Sequence, residues 1–265
     1  MAPARLHRLA ARLFALAITP ALALTSASAQ DSQHACAAPK DLVRFAQPLA
    51  RTAARLAAHA PLTIVAIGSS STFGAGASSP DASYPSRLAV ELRAIFPREK
   101  ITVINRGVNG EEVREMLARF GESVISQRPD LVLWQVGTNS VLRDRSVAPT
   151  SPLILDGIRR LKLLGIDVVM IDPQYAPRVL AKPYAEEMVR LIAASAKEAN
   201  VDLFPRFALM RYWHDHEHMT FAEFVSPDEL HMNDWSYACI AKLIGAAIAE
   251  AASRNVVAAH ASLKH

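Results

Sequence analysis

The sequence predicts an α/β protein in which helices cover both faces of a parallel sheet of five strands, giving three layers. Apolar segments of strand length alternate with amphipathic helical segments from Pro61 to the last helix, and this alternation is typical of βαβ units. Several strand segments are apolar without interruption, as strands buried on both faces are. The chain has 265 residues, of which 51% are hydrophobic, and this length suits one sizeable domain.

The N-terminus has the composition of a secretory signal peptide. Three arginines (Arg5, Arg8 and Arg12) precede an apolar run over 13–24, which is followed by Ala27-Ser28-Ala29. A basic start, a short apolar stretch and an A-x-A site predict cleavage after the last of these alanines and export to the periplasm or the medium. The alternative is a retained membrane anchor, which the short apolar run disfavours.

Removal of residues 1–29 changes the charge of the chain. The full sequence has 29 basic and 25 acidic residues, and three of the basic ones lie in the predicted leader, which leaves 26 against 25. A nearly neutral chain without a basic patch interleaved with aromatic residues does not suggest a nucleic-acid partner. No segment of the mature chain is expected to stay inserted in a membrane.

The remaining elements follow in chain order. Residues 30–60 are predicted to form an N-terminal extension with one or two short helices, because an Ala-rich stretch there is interrupted by Pro48. Apolar residues at helical spacing predict five further helices between and after the strands, and Gly165 ends the third of these five. The strand segments are Leu62–Ile67, Ile101–Asn105, Leu131–Val136, Val168–Ile171 and Val201–Phe204.

Cys36 and Cys239 are the only cysteines, and both follow the predicted leader. An even pair in an exported chain predicts a disulfide between the N-terminal extension and the last helix. The alternative is a pair of unrelated buried thiols.

Two glycine-rich segments follow the first two strands, where a parallel sheet binds its ligands. Gly68–Gly74 has three serines in a tight turn, any of which could present a nucleophilic hydroxyl at a helix N-terminus, and the alternative is a structural or phosphate-binding turn. Asn105–Gly110 has glycines that let a backbone N–H approach an oxyanion, and the alternative is an ordinary turn.

Two more segments have polar side chains suited to acyl transfer. Gly137–Ser140 follows the third strand, and Asn139 in it can donate to an oxyanion or simply cap a helix. Asp228 and His231 lie three residues apart before the last helix, so the carboxylate can orient the imidazole. The alternative for this pair is a surface turn.

Together these segments resemble the four sequence blocks of the SGNH (GDSL-type) hydrolases: a Gly-Asp-Ser turn, an Asn-x-Gly-x-x-Gly turn, a Gly-x-Asn turn and Asp-x-x-His. The corresponding residues are Gly68 to Ser70, Asn105 to Gly110, Gly137 to Asn139, and Asp228 to His231. The resemblance spans most of the chain and implies a flavodoxin-like α/β/α sandwich with a hydrolase domain over 61–265.

The resemblance selects Ser70 as the nucleophile and implies a catalytic triad with His231 and Asp228. It further implies an oxyanion hole formed by the backbone N–H groups of Ser70 and Gly107 and by the Asn139 side chain. One residue departs from the family pattern, since Ser69 occupies the position of the usual Asp. This departure affects how the turn is braced and leaves the triad intact.

The chemistry implied by the resemblance needs no metal and no organic cofactor. A run of alternating histidines, His214, His216 and His218, is a competing metal-site candidate, but it lacks a recognised ligand spacing and is better explained as a polar loop at the rim of the site. Tyr175, which follows the fourth strand, is predicted either to line the substrate pocket or to pack within a turn.

We therefore expect an exported serine esterase that removes short acyl groups, with O-acetyl groups of carbohydrates as the favoured substrates and small-molecule esters as others. The alternatives are an O-acetyltransferase with the same triad and a lysophospholipase-like or thioesterase-like activity. A non-catalytic carbohydrate-binding module would be expected to lack Ser70 or His231, and both residues are present.

Overall fold

The computed structural model describes Met1 and residues 35–262, with side chains up to Arg254. The predicted signal peptide, residues 1–29, therefore lies outside the described residues apart from Met1. Five parallel strands form one sheet in the order β2-β1-β3-β4-β5, which confirms the predicted fold class. The strands are β1 (Leu62–Gly68), β2 (Ile101–Gly107), β3 (Leu131–Gln135), β4 (Asp167–Ile171) and β5 (Asp202–Phe204).

The α-helices precede, connect and follow the strands. They are α1 (Lys40–Val43), α2 (Ala50–Ala57), α3 (Ser70–Phe73), α4 (Tyr84–Ile95), α5 (Val113–Ala118), α6 (Thr138–Leu142), α7 (Thr150–Leu163), α8 (Pro177–Leu180), α9 (Ala185–Glu198), α10 (Arg206–Asp215), α11 (Phe221–Phe224) and α12 (Asp234–Ser262).

The sheet separates two apolar cores. Side chains of β1 alternate between them: Ile64 and Ala66 pack into the core beneath α4 and α12, whereas Val65 and Ile67 pack into the core beneath α5, α7 and α9. All four are fully buried. A strand with both faces covered needs no polar alternation, which is why these segments are continuously apolar.

Residues 35–60 belong to the same compact unit as the sheet, and this unit begins at Ala35. Thr52 of α2 donates through both its N–H and its hydroxyl to Asp167 at 2.8 Å. Arg51 and Arg55 both pair with the buried carboxylate of Asp130 at the start of β3. Residues 35–60 are therefore an integral layer of the domain, not a separate appendage.

A disulfide joins Cys36 to Cys239 of α12, with 5.3 Å between their Cα atoms. This distance lies within the usual range for disulfides. The bond ties the beginning of the described chain to its last helix, 203 residues later.

Two expectations need correction. The polar loop predicted for the histidine run is only partly a loop, because His214 lies in α10, where Phe207, Met210 and Trp213 recur at helical spacing and are buried along one side. Residues 234–254 of α12 are long and apolar enough to cross a membrane by length and composition, although no mature segment was expected to be. This part of the helix is 61% buried, packing against α4 and α2 as a core helix does.

Candidate active site

The turn after β1 exposes one of its three serines. Ser69 and Ser71 are fully buried, and their hydroxyls donate to the side chains of Gln135 and Gln174 respectively. Ser70 occupies the first position of α3 and is partly exposed. Burial therefore selects the same serine as the family resemblance does.

The buried amide of Gln135, the last residue of β3, braces this turn. Its Oε1 accepts hydrogen bonds from the Ser69 N–H at 2.9 Å, the Ser69 hydroxyl at 3.1 Å and the Thr72 hydroxyl at 3.3 Å. A side chain at Gly68 would lie 2.7 Å from the same oxygen, so only glycine fits there. The serine that replaces the usual Asp thus binds a neutral acceptor from the neighbouring strand.

Ser70, His231 and Asp228 form a continuous hydrogen-bonded chain. The Ser70 Oγ lies 2.8 Å from His231 Nε2, and His231 Nδ1 lies 2.5 Å from Asp228 Oδ2. The side chain of His231 is only 13% exposed, whereas that of Asp228 is 42% exposed. This order of groups lets the imidazole accept the serine proton while the carboxylate holds its other nitrogen protonated.

The second oxygen of Asp228 fixes the orientation of its carboxylate. Oδ1 accepts from the Ser226 hydroxyl at 2.6 Å and from the backbone N–H groups of Leu230 and His231, both at 2.9 Å. Burial tends to raise the pKa of Asp228, but the hydrogen bonds from His231, Ser226 and the two N–H groups outweigh it and hold this pKa well below its ordinary value. Asp228 is therefore ionised wherever the imidazole can act as a base.

Backbone contacts hold the segment 225–232, which we call the triad loop. Val225 and Met232 form an antiparallel bridge at its two ends, and the Ser226 N–H donates to the His231 carbonyl at 2.7 Å. Gly76 packs against the loop with a φ of +87°, and a Cβ on it would lie 2.5 Å from the Met232 carbonyl oxygen. The loop thus closes on itself beside the nucleophile turn.

Asn105, at the end of β2, anchors α3 from the other side. Its Nδ2 donates to the carbonyls of Thr72 at 2.8 Å and Phe73 at 3.3 Å, and its Oδ1 accepts from the Gly107 N–H at 2.8 Å. A Cβ on Gly107 would lie 2.0 Å from the Phe73 nitrogen. Gly107 therefore allows the close approach of β2 to α3, and its N–H already has an acceptor within the chain.

Gly110 is better placed than Gly107 to offer a free backbone donor. It adopts a φ of +80°, and a Cβ added to it would meet nothing closer than an Arg143 nitrogen at 3.6 Å. Among the described residues, its N–H makes no hydrogen bond. Its carbonyl accepts from Arg143 at 2.8 Å, which holds the peptide in place.

Asn139 lies in the first turn of α6 and does not cap that helix, because the N-cap position is Gly137 and no side chain caps the end. Its Nδ2 donates one hydrogen bond to the Glu111 carbonyl oxygen at 2.9 Å. The amide group has a second N–H. Asn139 can therefore be oriented by Glu111 and still donate to an oxyanion.

The histidine run lies outside the chain of triad hydrogen bonds. His214, on α10, contacts Asp215 through Nδ1 at 2.8 Å and stacks on Phe221, while His216 stacks on Tyr212. No three His, Cys, Asp or Glu side chains among the described residues form a group that could hold a metal ion.

Tyr175 packs within the same aromatic cluster. Its ring lies 5.1 Å from that of Phe207, edge to face, and stacks on Phe221 at 5.8 Å. Both partners are distant in sequence and lie on α10 and α11, so Tyr175 packs against helices and not within its own turn.

Sequence reasoning missed four residues that shape the site: Gln135, Gln174, Gly110 as a free donor, and Gly76. The two glutamines carried a usable signal, since each follows or ends a buried strand at the carboxyl edge of the sheet. Gly76 carried none, because its contact with the triad loop is formed only in the fold.

The chain matches known proteins along most of its length. A model of the non-GDSL lipase-like family matches residues 35–254. An acetylxylan esterase of Geobacillus stearothermophilus is 44% identical over 52 residues, which are 20% of this chain and 24% of that protein. An arylesterase of Vibrio mimicus is 27% identical over 147 residues, which are 55% of this chain and 69% of that protein. The chain thus spans about a quarter of the first relative.

Solved structures share the fold at low identity. A two-domain esterase active on acetylated mannans superposes with a TM-score of 0.65 at 19% identity, over 80% of this chain and 56% of that one. The acetylxylan esterase from Geobacillus stearothermophilus superposes with a TM-score of 0.60 at 21% identity, over 71% of this chain and 94% of that one. At these identities the likeness establishes the common fold.

Proposed function

The chain belongs to the non-GDSL lipase-like family, and from that premise we propose that it is an exported serine ester hydrolase acting through a covalent acyl-enzyme. The resemblance to SGNH hydrolases is thereby confirmed at the level of the family. The hydrogen-bonded chain from Asp228 through His231 to Ser70 carries the proposal, because the serine at its end is partly exposed and contacts a base whose other nitrogen contacts a carboxylate.

In the first half-reaction, Ser70 Oγ attacks the ester carbonyl carbon as its proton passes to His231 Nε2. The tetrahedral intermediate collapses when the bond to the alcohol oxygen breaks and Nε2 returns the proton to that oxygen. Asp228 stabilises the imidazolium in between, since it remains ionised and lies 2.5 Å from Nδ1. A water molecule then attacks the acyl-enzyme with His231 as base, which releases the acid and restores Ser70.

We assign the oxyanion donors to the Ser70 N–H, the Asn139 side chain and the Gly110 N–H. Gly110 replaces Gly107 of the original expectation, because the Gly107 N–H is engaged by Asn105. Neither the Ser70 N–H nor the Gly110 N–H has a partner among the described residues. Each such donor contributes about 3–4 kcal/mol to lowering the barrier in related chemistry.

The favoured substrates are short acyl esters, above all O-acetyl groups on carbohydrates. Two similar proteins support this choice through their described activities, since one is an acetylxylan esterase and another is active on acetylated mannans. The O-acetyltransferase and lysophospholipase-like alternatives have no structural feature in their favour.

Export is supported by the N-terminal sequence and by the Cys36–Cys239 disulfide, which is typical of oxidising compartments. The mature protein would begin after Ala29, with residues 30–60 as its N-terminal extension.

The test compares acetate release from acetylated xylan and mannan with hydrolysis of nitrophenyl esters of increasing acyl length. A carbohydrate acceptor is added in a parallel reaction to measure transfer. Preference for acetyl esters with little transfer supports the proposal. Transfer exceeding hydrolysis would favour the transferase, and preference for long acyl chains would favour the lysophospholipase-like activity.

A further inference from the structure

A single buried side chain connects three of the four segments that form the active site. Gln174 lies three residues beyond the end of β4 and is fully buried. Its Oε1 accepts from the Ser71 hydroxyl at 3.3 Å and from the Thr138 hydroxyl at 3.0 Å. Its Nε2 donates to the Leu230 carbonyl at 3.0 Å.

Each of these partners is the immediate neighbour of a residue that takes part in the reaction. Ser71 follows the nucleophile, Thr138 precedes Asn139, and Leu230 precedes His231. The three segments come from distant parts of the chain, so nothing in the local sequence fixes their relative positions. Gln174 makes one hydrogen bond to each of them.

Buried charge fixes the orientation of the Gln174 amide. The guanidinium of Arg206, itself fully buried, donates through Nη2 to Gln174 Oε1 at 3.0 Å and through Nε to the Asp172 carbonyl at 3.0 Å. Arginine can only donate and the Leu230 carbonyl can only accept. The amide therefore has one orientation that satisfies both ends.

We propose that Gln174 is a positioning residue, which sets the distance between the nucleophile turn and the triad loop by donating to the Leu230 carbonyl. The proposal rests on the proposed function, because it concerns the geometry of that triad. The distance from Ser70 Oγ to His231 Nε2 depends on both segments, and a misplacement of about 1 Å can cost about 100-fold in rate. A glutamine that only filled space would affect stability and leave the rate per folded molecule unchanged.

The variant Gln174→Glu isolates one of the four hydrogen bonds. A carboxylate still accepts from Ser71, Thr138 and Arg206, but it has no N–H for the Leu230 carbonyl and repels that oxygen. We expect kcat per active-site-titrated molecule to fall about 100-fold, with KM for nitrophenyl acetate little changed. Gln174→Met, which removes all four hydrogen bonds without adding charge, should lose at least as much.

Ser195→Ala is the matched control for stability. Ser195 is also buried and bonds to Ser151 at 2.9 Å and to the Leu191 carbonyl at 2.9 Å, but it lies on α9 and makes no hydrogen bond to a described residue of the site. This variant should lower the melting temperature and leave kcat unchanged.

A second readout does not depend on turnover. The Nδ1 proton of His231 between its ring and Asp228 should give a downfield proton NMR resonance in the wild type, and this signal should shift or vanish in Gln174→Glu. The proposal would be overturned if folded Gln174→Glu kept the wild-type kcat. It would also be overturned if Ser195→Ala, at equal stability, lost as much kcat as Gln174→Glu. If Gln174→Glu does not fold, Gln174→Met decides by the same criteria. A wild type that hydrolyses no ester would refute the proposed function instead, while the NMR comparison would still test the positioning role.

Discussion

The two halves of the triad are held in contrasting ways. The nucleophile turn, residues 68–74, lies at the end of β1, an interior strand of the sheet. It is bound by the buried amides of Gln135 on β3 and Gln174 after β4, and by the half-buried amide of Asn105 on β2. The triad loop lies at the surface, and the side chain of Asp228 in it is 42% exposed. Most of the hydrogen bonds of the loop are made within the loop itself.

Because of this contrast, the sheet and the loop have different roles in positioning the triad. The sheet places the serine, because β1 and its neighbours cannot move without disrupting the core. The loop is held mainly by hydrogen bonds within itself. It contacts the rest of the domain at few points, and Gln174 and Gly76 provide two of these contacts. Substitutions of the buried residues of the turn should therefore alter both folding and rate, whereas substitutions of Ser70 itself or of residues in the loop should alter mainly rate.

Ser70→Ala should show the largest loss. With the only exposed hydroxyl of the turn removed, no acyl-enzyme can form, and we expect kcat to fall by a factor on the order of 10⁶. The melting temperature should change little, because the Ser70 side chain bonds only to His231. Ester hydrolysis and labelling by a fluorophosphonate measure the effect. Ser69→Ala and Ser71→Ala should retain labelling. If one of them abolished labelling while Ser70→Ala did not, the nucleophile would be that serine instead of Ser70.

In the triad loop, Asp228→Asn should lower kcat by a factor on the order of 10⁴, because the amide no longer holds the imidazole in the tautomer that accepts the serine proton. His231→Ala should lose still more, and KM should change little in both. His214→Ala is the matched control, since His214 also contacts an aspartate through Nδ1, at 2.8 Å, yet among the described residues no serine bonds to its other nitrogen. If His214→Ala were inactive and His231→Ala active, the base would be His214 and not His231.

Two asparagines separate the contributions of the oxyanion hole and the scaffold. Asn139→Ala removes a proposed donor, so kcat should fall about 100- to 1,000-fold at nearly constant KM. Asn105→Ala removes two hydrogen bonds that tie α3 to β2 and one within β2, and its main effect should be a loss of about 1–3 kcal/mol in unfolding free energy. Urea denaturation and steady-state kinetics on both variants measure this. If Asn139→Ala mainly lost stability and Asn105→Ala mainly lost kcat, the two proposed roles would be wrong.

The predictable parts of this protein are those governed by local pattern. Apolar segments of strand length predicted all five strands, and the family resemblance selected the three residues of the proposed triad. The role of Gly107 could not be predicted in this way, because its N–H is taken by an asparagine side chain only two residues away. For Gln174, the sequence indicates only its place after a buried strand, because the partners that define its role lie 103, 36 and 56 residues distant.

A carboxyl group buried in the scaffold and the carboxyl group of the triad loop should respond to pH with opposite sign. Asp172, which directly follows β4, is fully buried, and its Oδ2 accepts no hydrogen bond from any residue that the structure describes. Burial raises the pKa of Asp172 from 3.8 to about 7, against the opposing effects of the Phe207 N–H and Arg206. The pKa of Asp228 is lowered instead, by its hydrogen bonds. One carboxyl group is therefore protonated in the fold and the other ionised at about pH 5.

The free energy of unfolding measured in urea from pH 2 to pH 8 tests this opposition. A raised pKa in the fold contributes stability below the unfolded value of 3.8 that is lost as the pH rises to about 7, so the wild type should lose stability relative to Asp172→Asn over that window. A lowered pKa contributes stability above 3.8 that is lost on acidification, so the wild type should lose stability relative to Asp228→Asn as the pH falls below about 4. The second effect should be the smaller, because solvent screens a carboxylate as exposed as Asp228. A constant difference between the wild type and Asp172→Asn from pH 4 to 7 would mean that Asp172 is ionised in the fold and paired with the charge of Arg206.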